Sequence, residues 1–235
     1  MEDIHTRVFK YFFKFDDGSN KSFEIVLNYK DLTLLNAPVK KEHPDWTRLE
    51  NFKCPHCPLD PAVNEYCPLA ITLPPVLESF GTVNSFEECD VVVSTPDRTI
   101  TKRTSVQAGV SAMLGIFMVS SGCPVLGRLK PMLYFHLPFA TLDETQIRAF
   151  SLYLLAQYLK FKKGKSPDWD MEFLHEIYDD IRILNQNVSK KIVNLEQKDT
   201  SINSLIILNN FADYVTFTID EKMLEEIEFY VREFL

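Results

Sequence analysis

The chain has 235 residues, of which 46% are hydrophobic and 25% charged, a balance that excludes a disordered protein and suits one large domain or a core domain with an appendage. The formal net charge of -8 is unevenly spread, because residues 168–235 carry 15 acidic and 6 basic side chains while the remainder carries 18 acidic and 19 basic. Nonspecific binding to nucleic acid needs a cationic face, so we expect no nucleic-acid partner.

The N-terminal stretch "MEDIHTRVFKYFFKF" has no uninterrupted apolar core behind a basic start, so we expect no signal peptide. The longest charge-free run is residues 104–127, and only residues 108–119 within it are predominantly apolar. That segment is too short to cross a bilayer of about 30 Å. Together with an odd number of cysteines, these features predict a cytoplasmic protein without membrane contact.

The first half of the chain predicts two strand pairs. Residues 7–27 alternate in polarity around Asp17-Gly18, which indicates a hairpin. Residues 31–66 are rich in proline and polar groups and are predicted as a loop, followed by a short helix at about residues 69–80. The sequence "CDVVVSTPDRTITKRT" then predicts a second strand pair that turns at Pro96-Asp97.

Helices dominate the second half. Ser105 is predicted to open a buried helix that ends at Gly122, and Thr141 with Glu144 forms a capping box at the start of the next helix. The best domain boundary is "KKGKSPDWD". We therefore predict an α+β fold, with short antiparallel strand pairs packed on helices in a body of residues 1–165 and a helical C-terminal region of residues 166–235.

The C-terminal region begins with a long apolar stripe. Its residues recur at spacings of 4, 4, 3, 4, 4 and 3, an eleven-residue repeat that keeps one stripe on one side of a nearly straight helix: Phe173, Ile177, Ile181, Leu184, Val188, Ile192 and Leu195. Two further helices fit "SINSLIILNNFADYV" and "DEKMLEEIEFYVREFL". Either these helices cover the stripe within the chain, or part of it stays exposed and binds a protein partner or a second copy of the chain.

Several stretches match catalytic or ligand-binding motifs only in part. "KKGKS" ends like a phosphate-binding loop, but Leu159 stands where that loop needs its first glycine. "HEIYD" begins like a zinc-protease helix but has Asp179 in place of the second histidine. His136 lies among apolar residues in "YFHLPF" and is interpreted as a hydrogen-bonded core histidine. These failures favour a protein without catalytic activity.

The strongest motif is a set of cysteines, each followed by proline: Cys54, Cys57, Cys67 and Cys123. Cys54 and Cys57 have the spacing that lets two thiolates reach one metal ion from a single turn. Proline restricts the backbone after each ligand and so lowers the entropy lost when a site assembles. We predict one structural metal site, with Cys123 as the fourth ligand and His56, His43 or His136 as its substitutes.

Other interpretations stay open at this point. Four thiolates suit zinc or a 4Fe-4S cluster, and zinc is favoured because a scaffold role needs no redox partner. The stretch "CPHC" resembles the active-site tetrapeptide of periplasmic thiol oxidases, so Cys54 and Cys57 could instead form a redox dithiol in a thiol-disulfide oxidoreductase. The thiols could also be buried without any ligand, packed as small hydrophobic groups.

A wider resemblance covers roughly residues 54–160. The stretches "CPHCPL", "YCPLA", "SGCPVLGRLKPM", "FHLPF" and "YLLAQY" resemble an uncharacterised bacterial protein family. This resemblance implies a shared fold and no particular chemistry.

Overall fold

The computed structural model describes residues 5–36, 43–80, 83–195 and 221–235. The strands are β1 (Thr6–Phe15), β2 (Asn20–Asn28), β3 (Glu88–Ser94) and β4 (Thr99–Ser105). The helices are α1 (Leu49–Phe52), α2 (Pro74–Phe80), α3 (Val106–Ser120), α4 (Lys130–Tyr134), α5 (Leu142–Lys162), α6 (Glu172–Leu195) and α7 (Glu221–Val231). The predicted α+β class is confirmed, and the division at residue 165 stays a prediction.

Both predicted strand pairs form, and they join into one four-stranded antiparallel sheet of order β2-β1-β3-β4. The joining contact is β1 with β3, in a register that sets Tyr11 opposite Val93 and Phe13 opposite Val91. The sequence alone predicts two separate strand pairs, because pairing between strands so distant along the chain leaves no local signal.

One face of the sheet is buried and the other is open to solvent. Phe9, Tyr11 and Phe13 of β1 alternate with exposed residues and form the centre of the core. On the outer face, Arg103 donates to both carboxylate oxygens of Asp16 at 2.7 Å. The alternation of buried and exposed residues along β1 therefore determines which face of the sheet the helices pack against.

Helix α3 lies on the buried face, and Gly109 sets how closely it approaches. A Cβ atom added at Gly109 would lie 2.6 Å from Phe13 Cε1 and 2.9 Å from Val91 Cγ2. The helix can therefore rest on the sheet only because this residue has no side chain. Ser105 is the N-cap residue, as predicted, and the chain turns after the helix at Gly122, whose φ is +91°.

The next helix, α5, begins with the predicted capping box. Thr141 Oγ1 accepts from the N–H of Glu144 at 3.1 Å, and Glu144 Oε2 accepts from the N–H of Thr141 at 2.7 Å. Within the described part of the chain, no helix is long and apolar enough to cross a membrane.

Helix α6 is the predicted long helix, and most of its apolar stripe is buried in the core. Ile177, Ile181, Leu184, Val188 and Ile192 are all buried, whereas Phe173 at the N-terminal end is about half exposed. Side chains beside the stripe also contact the body; for example, Lys191 donates to the carbonyl of Asn51 at 2.7 Å. The predicted helix at "SINSLIILNNFADYV" lies outside the described residues.

Candidate metal centre

The four Cys-Pro cysteines lie together in one cluster. Each of the four thiols lies close enough to the other three to interact with them electrostatically, which holds for all six pairs. All are free thiols; Cys54, Cys67 and Cys123 are buried and Cys57 is half-buried. The fifth cysteine, Cys89, has no proline after it and lies on β3 beside Arg103, apart from the cluster.

Two of the Cys-Pro pairs open helical turns. The carbonyl of Cys67 accepts from the N–H of Ile71, and that of Cys123 accepts from Gly127, each four residues later. The N–H groups of the second and third residues after each cysteine are directed at its sulfur. Each sulfur thus occupies the place of an N-cap side chain, and the proline stands at N1, where its missing N–H costs nothing.

The Pro-rich segment around the first three cysteines has more structure than a simple loop. Its two arms run antiparallel, since the N–H of Leu49 donates to the carbonyl of Glu65 and the N–H of Cys67 donates to that of Thr47. A Cβ atom added at Gly122 would lie 3.7 Å from Pro68. The end of α3, which carries Cys123, therefore rests against the Cys67 turn.

Helix α6 also contacts the cluster, which the sequence did not predict. Asn187 Nδ2 donates to Cys54 Sγ at 3.3 Å, and the Lys191 ammonium lies 5.7 Å from the ring centre of Phe52. Asn187 and Lys191 occupy polar positions of an amphipathic helix, as do many residues that face solvent. Nothing in the sequence distinguishes them, because their role depends on where the helix docks.

Burial favours the neutral form of three of the four thiols, those of Cys54, Cys67 and Cys123. Burial raises the pKa of Cys54 to about 12, although the hydrogen bond from Asn187 opposes the shift. Burial likewise raises the pKa of Cys67 to about 11 and raises that of Cys123. A reactive dithiol needs the opposite shift, a lowered pKa on its attacking cysteine. The bare cluster therefore gives no support to a redox role for Cys54 and Cys57.

His56 lies between Cys54 and Cys57, and its ring lacks partners. Both ring nitrogens are buried, and neither forms a hydrogen bond in the described part of the structure. A buried polar group without a partner costs about 1–3 kcal/mol, so this side chain is a candidate for an interaction with a ligand.

The other two histidines named as substitute ligands have different surroundings. The His43 ring packs edge-on against Tyr66, with ring centres 5.0 Å apart. His136 Nε2 is hydrogen-bonded to the Tyr11 hydroxyl at 3.0 Å, which agrees with its interpretation as a hydrogen-bonded core histidine. As the described side chains stand, no three His, Cys, Asp or Glu residues are arranged to hold a metal ion.

Comparison with known proteins adds a family and no function. No curated protein and no solved structure matches the chain. A family model described as a domain of unknown function, DUF6901, matches residues 9–232. The match covers nearly the whole chain, from β1 to the residue after α7, and the chain belongs to this family of uncharacterised proteins.

Proposed function

We propose that the protein is a non-catalytic intracellular protein in which Cys54, Cys57, Cys67 and Cys123 bind one structural metal ion, zinc. The observation that carries the proposal is the selectivity of the cluster. Its members are the four cysteines followed by proline, and the one cysteine without a proline lies elsewhere. Packing as small hydrophobic groups gives no reason for this division, since Cys89 is also a buried cysteine.

The surroundings of the sulfurs also support metal binding. Backbone N–H groups aimed at a sulfur stabilise a thiolate more than a neutral thiol, since hydrogen bonds to an ionised acceptor are about twice as strong. A cation would in turn offset the cost of burying thiolate charge. The buried nitrogens of His56 would provide a further donor atom beside the thiols. Loading requires the cysteine side chains to turn about their Cα–Cβ bonds towards a common point.

The metal would hold together parts of the chain that are distant in sequence. Cys54, Cys57 and Cys67 belong to the Pro-rich segment, and Cys123 follows α3. A segment this long with little regular structure loses much entropy on folding, and a metal clip that closes it would offset that loss. Zinc is preferred to an iron–sulfur cluster because this role requires no electron transfer.

Elemental analysis of protein purified without oxygen tests the proposal. We expect about one equivalent of zinc in the wild type, and less than about a tenth of an equivalent in Cys57→Ser. Cys57 is chosen because it is the least buried of the four thiols, so its replacement disturbs packing least. Cys89→Ser is the matched control and should keep its zinc. If the wild type contains no metal even after incubation with zinc, the proposal is refuted. If it contains iron and sulfide in equal amounts, the site binds an iron–sulfur cluster and not zinc.

We also propose that the C-terminal helices bind a protein partner. The described C-terminal end exposes large apolar groups, with Phe229 63% and Phe234 91% exposed. The acidic excess of residues 168–235 favours a basic partner surface over a second copy of the chain. The test identifies the proteins that co-purify with the chain at low and at high salt. A basic protein that co-purifies with the wild type at low salt, but neither at high salt nor with the double variant Phe229→Ser/Phe234→Ser, supports the proposal. A dimer of the purified chain would assign the surface to self-association instead.

The location and the family belong to the same proposal. Five free thiols suit a reducing compartment, which supports a cytoplasmic protein. We expect the family to be bacterial and its members to carry the same four Cys-Pro pairs. A relative that retains three of the cysteines and replaces the fourth with a residue unable to bind metal would argue against a shared metal site.

A further inference from the structure

A cavity of about 320 Å³ lies between α3, α4, α5 and α6, on the side of the core away from the solvent-facing sheet surface. Its size is within the usual range of small-molecule sites, about 300–1,000 Å³. Most of its wall is apolar and comes from residues such as Ala112, Met118 and Leu133. A ligand for this space must therefore be largely apolar itself.

A half-buried cation interrupts the apolar wall. Arg148 of α5 lines the cavity, and its terminal NH₂ group donates to the carbonyl of Met132 at 3.0 Å. Its Nε is buried and makes no hydrogen bond to any described residue. Burial lowers the pKa of Arg148, which indicates that the guanidinium has left water without full compensation.

No acidic residue is among those that line this cavity. Glu144, one turn before Arg148, interacts with it electrostatically, but its carboxylate already accepts the N–H of Thr141 in the capping box. Within the described structure Arg148 forms no ion pair, whereas Arg128 at the surface pairs with Asp180 at 2.8 Å. A half-buried arginine whose Nε is buried without a hydrogen-bond partner or counter-ion is a costly arrangement that an anionic ligand would relieve.

Two further groups suit an anion. The buried Tyr178 of α6 lines the cavity, interacts electrostatically with Arg148 and makes no hydrogen bond within the described structure. Its hydroxyl is therefore available as a second donor. Lys102 also lines the cavity, and its ammonium lies 5.7 Å from the ring centre of Phe139. This exposed lysine would attract an anion towards the opening.

We propose that this cavity binds a medium-chain aliphatic carboxylate, with the carboxylate on Arg148 and Tyr178 and the hydrocarbon chain against the apolar wall. A planar carboxylate matches the guanidinium fork and carries the single negative charge that the Arg148 cation balances. A phosphate would bring a second negative charge into an apolar space. The inference is independent of the metal site, since none of the four cysteines lines the cavity.

Calorimetric titration of the full-length protein with decanoate tests the proposal, with decanol and decylamine as probes of charge. We expect one decanoate per chain and at least about tenfold weaker binding of decanol, because the alcohol leaves the guanidinium of Arg148 without a counter-ion. Decylamine should not bind. Equal affinity for decanol and decanoate, or no decanoate binding at millimolar concentration, would overturn the proposal.

Variants separate the anchor from the apolar wall. Arg148→Met removes the guanidinium but keeps an unbranched apolar side chain, so it should weaken decanoate binding at least about tenfold while leaving decanol binding unchanged. Arg128→Met, at the surface ion pair, is the matched control and should bind decanoate as the wild type does. If Arg148→Met does not fold, Tyr178→Phe serves instead and should weaken decanoate by at least about threefold. Wild-type decanoate affinity in either of these cavity variants, with the protein folded, would refute the assignment.

Discussion

Replacing Leu184 with alanine tests whether α6 belongs to the core or to an interface. The side chain is 1% exposed, and the substitution removes three carbon atoms from a packed position. At about 0.8 kcal/mol per buried methylene the transfer loss is about 2.4 kcal/mol, and the remaining cavity raises the cost to about 3–4 kcal/mol. The adjacent Ile183 is 36% exposed, so Ile183→Ala should cost less than about 1 kcal/mol.

Urea unfolding followed by circular dichroism and tryptophan fluorescence measures this difference. With a slope of about 2–3 kcal/mol per molar urea, Leu184→Ala should lower the midpoint by more than about 1 M, and Ile183→Ala by less than about half of that. Sedimentation should give the same mass for both variants and the wild type. Equal midpoints for the two variants would refute the core assignment, and a change of mass in Leu184→Ala alone would assign the stripe to an interface.

Three other predictions concern the body. Burial lowers the pKa of His136 to about 3, so on acidification the unfolded chain takes up a proton at this residue before the folded chain does. The free energy of unfolding should therefore fall by up to about 1.4 kcal/mol per pH unit as the pH drops below about 6.5. In His136→Gln the free energy of unfolding, measured in urea, should depend less on pH over this range. Gly109→Ala should destabilise by about 1–3 kcal/mol in urea, because contact with Phe13 and Val91 outweighs the gain of about 1 kcal/mol in helix propensity. Thr141→Ala removes the capping box of α5 and should lower the free energy of unfolding by about 1 kcal/mol in the same assay.

The elements that could be predicted from the sequence are those with local causes. The Asp17-Gly18 turn, the capping box at Thr141 and the stripe of α6 each depend on residues within a few positions of one another, and each is confirmed. The pairing of β1 with β3 depends on two segments about eighty residues apart. The surface that buries the α6 stripe is likewise a property of the assembled fold, which no local pattern contains.

The candidate sites divide in the same way. The cysteine cluster could be predicted because the same residue pair recurs four times and thiols have few roles. The Arg148–Tyr178 cavity could not, because an arginine on an amphipathic helix has the sequence pattern of a surface residue. Its place in the cavity wall depends on α4 and α6, which contribute Met132 and Tyr178 beside it, and the lack of an acidic residue in that wall is visible only once the neighbours are known.

The raised pKa values of Cys54 and Cys67 have a consequence for how a metal would bind. Since burial holds the pKa of Cys54 near 12 and that of Cys67 near 11, both carry protons at neutral pH. A metal ion must displace those protons, because only the thiolate is a ligand. Apparent affinity for zinc should therefore rise with pH by more than tenfold per unit between pH 6 and 8, since more than one proton leaves for each ion bound. A zinc affinity independent of pH in that range would mean that the metal binds groups already deprotonated, and the four-thiol site would be the wrong assignment.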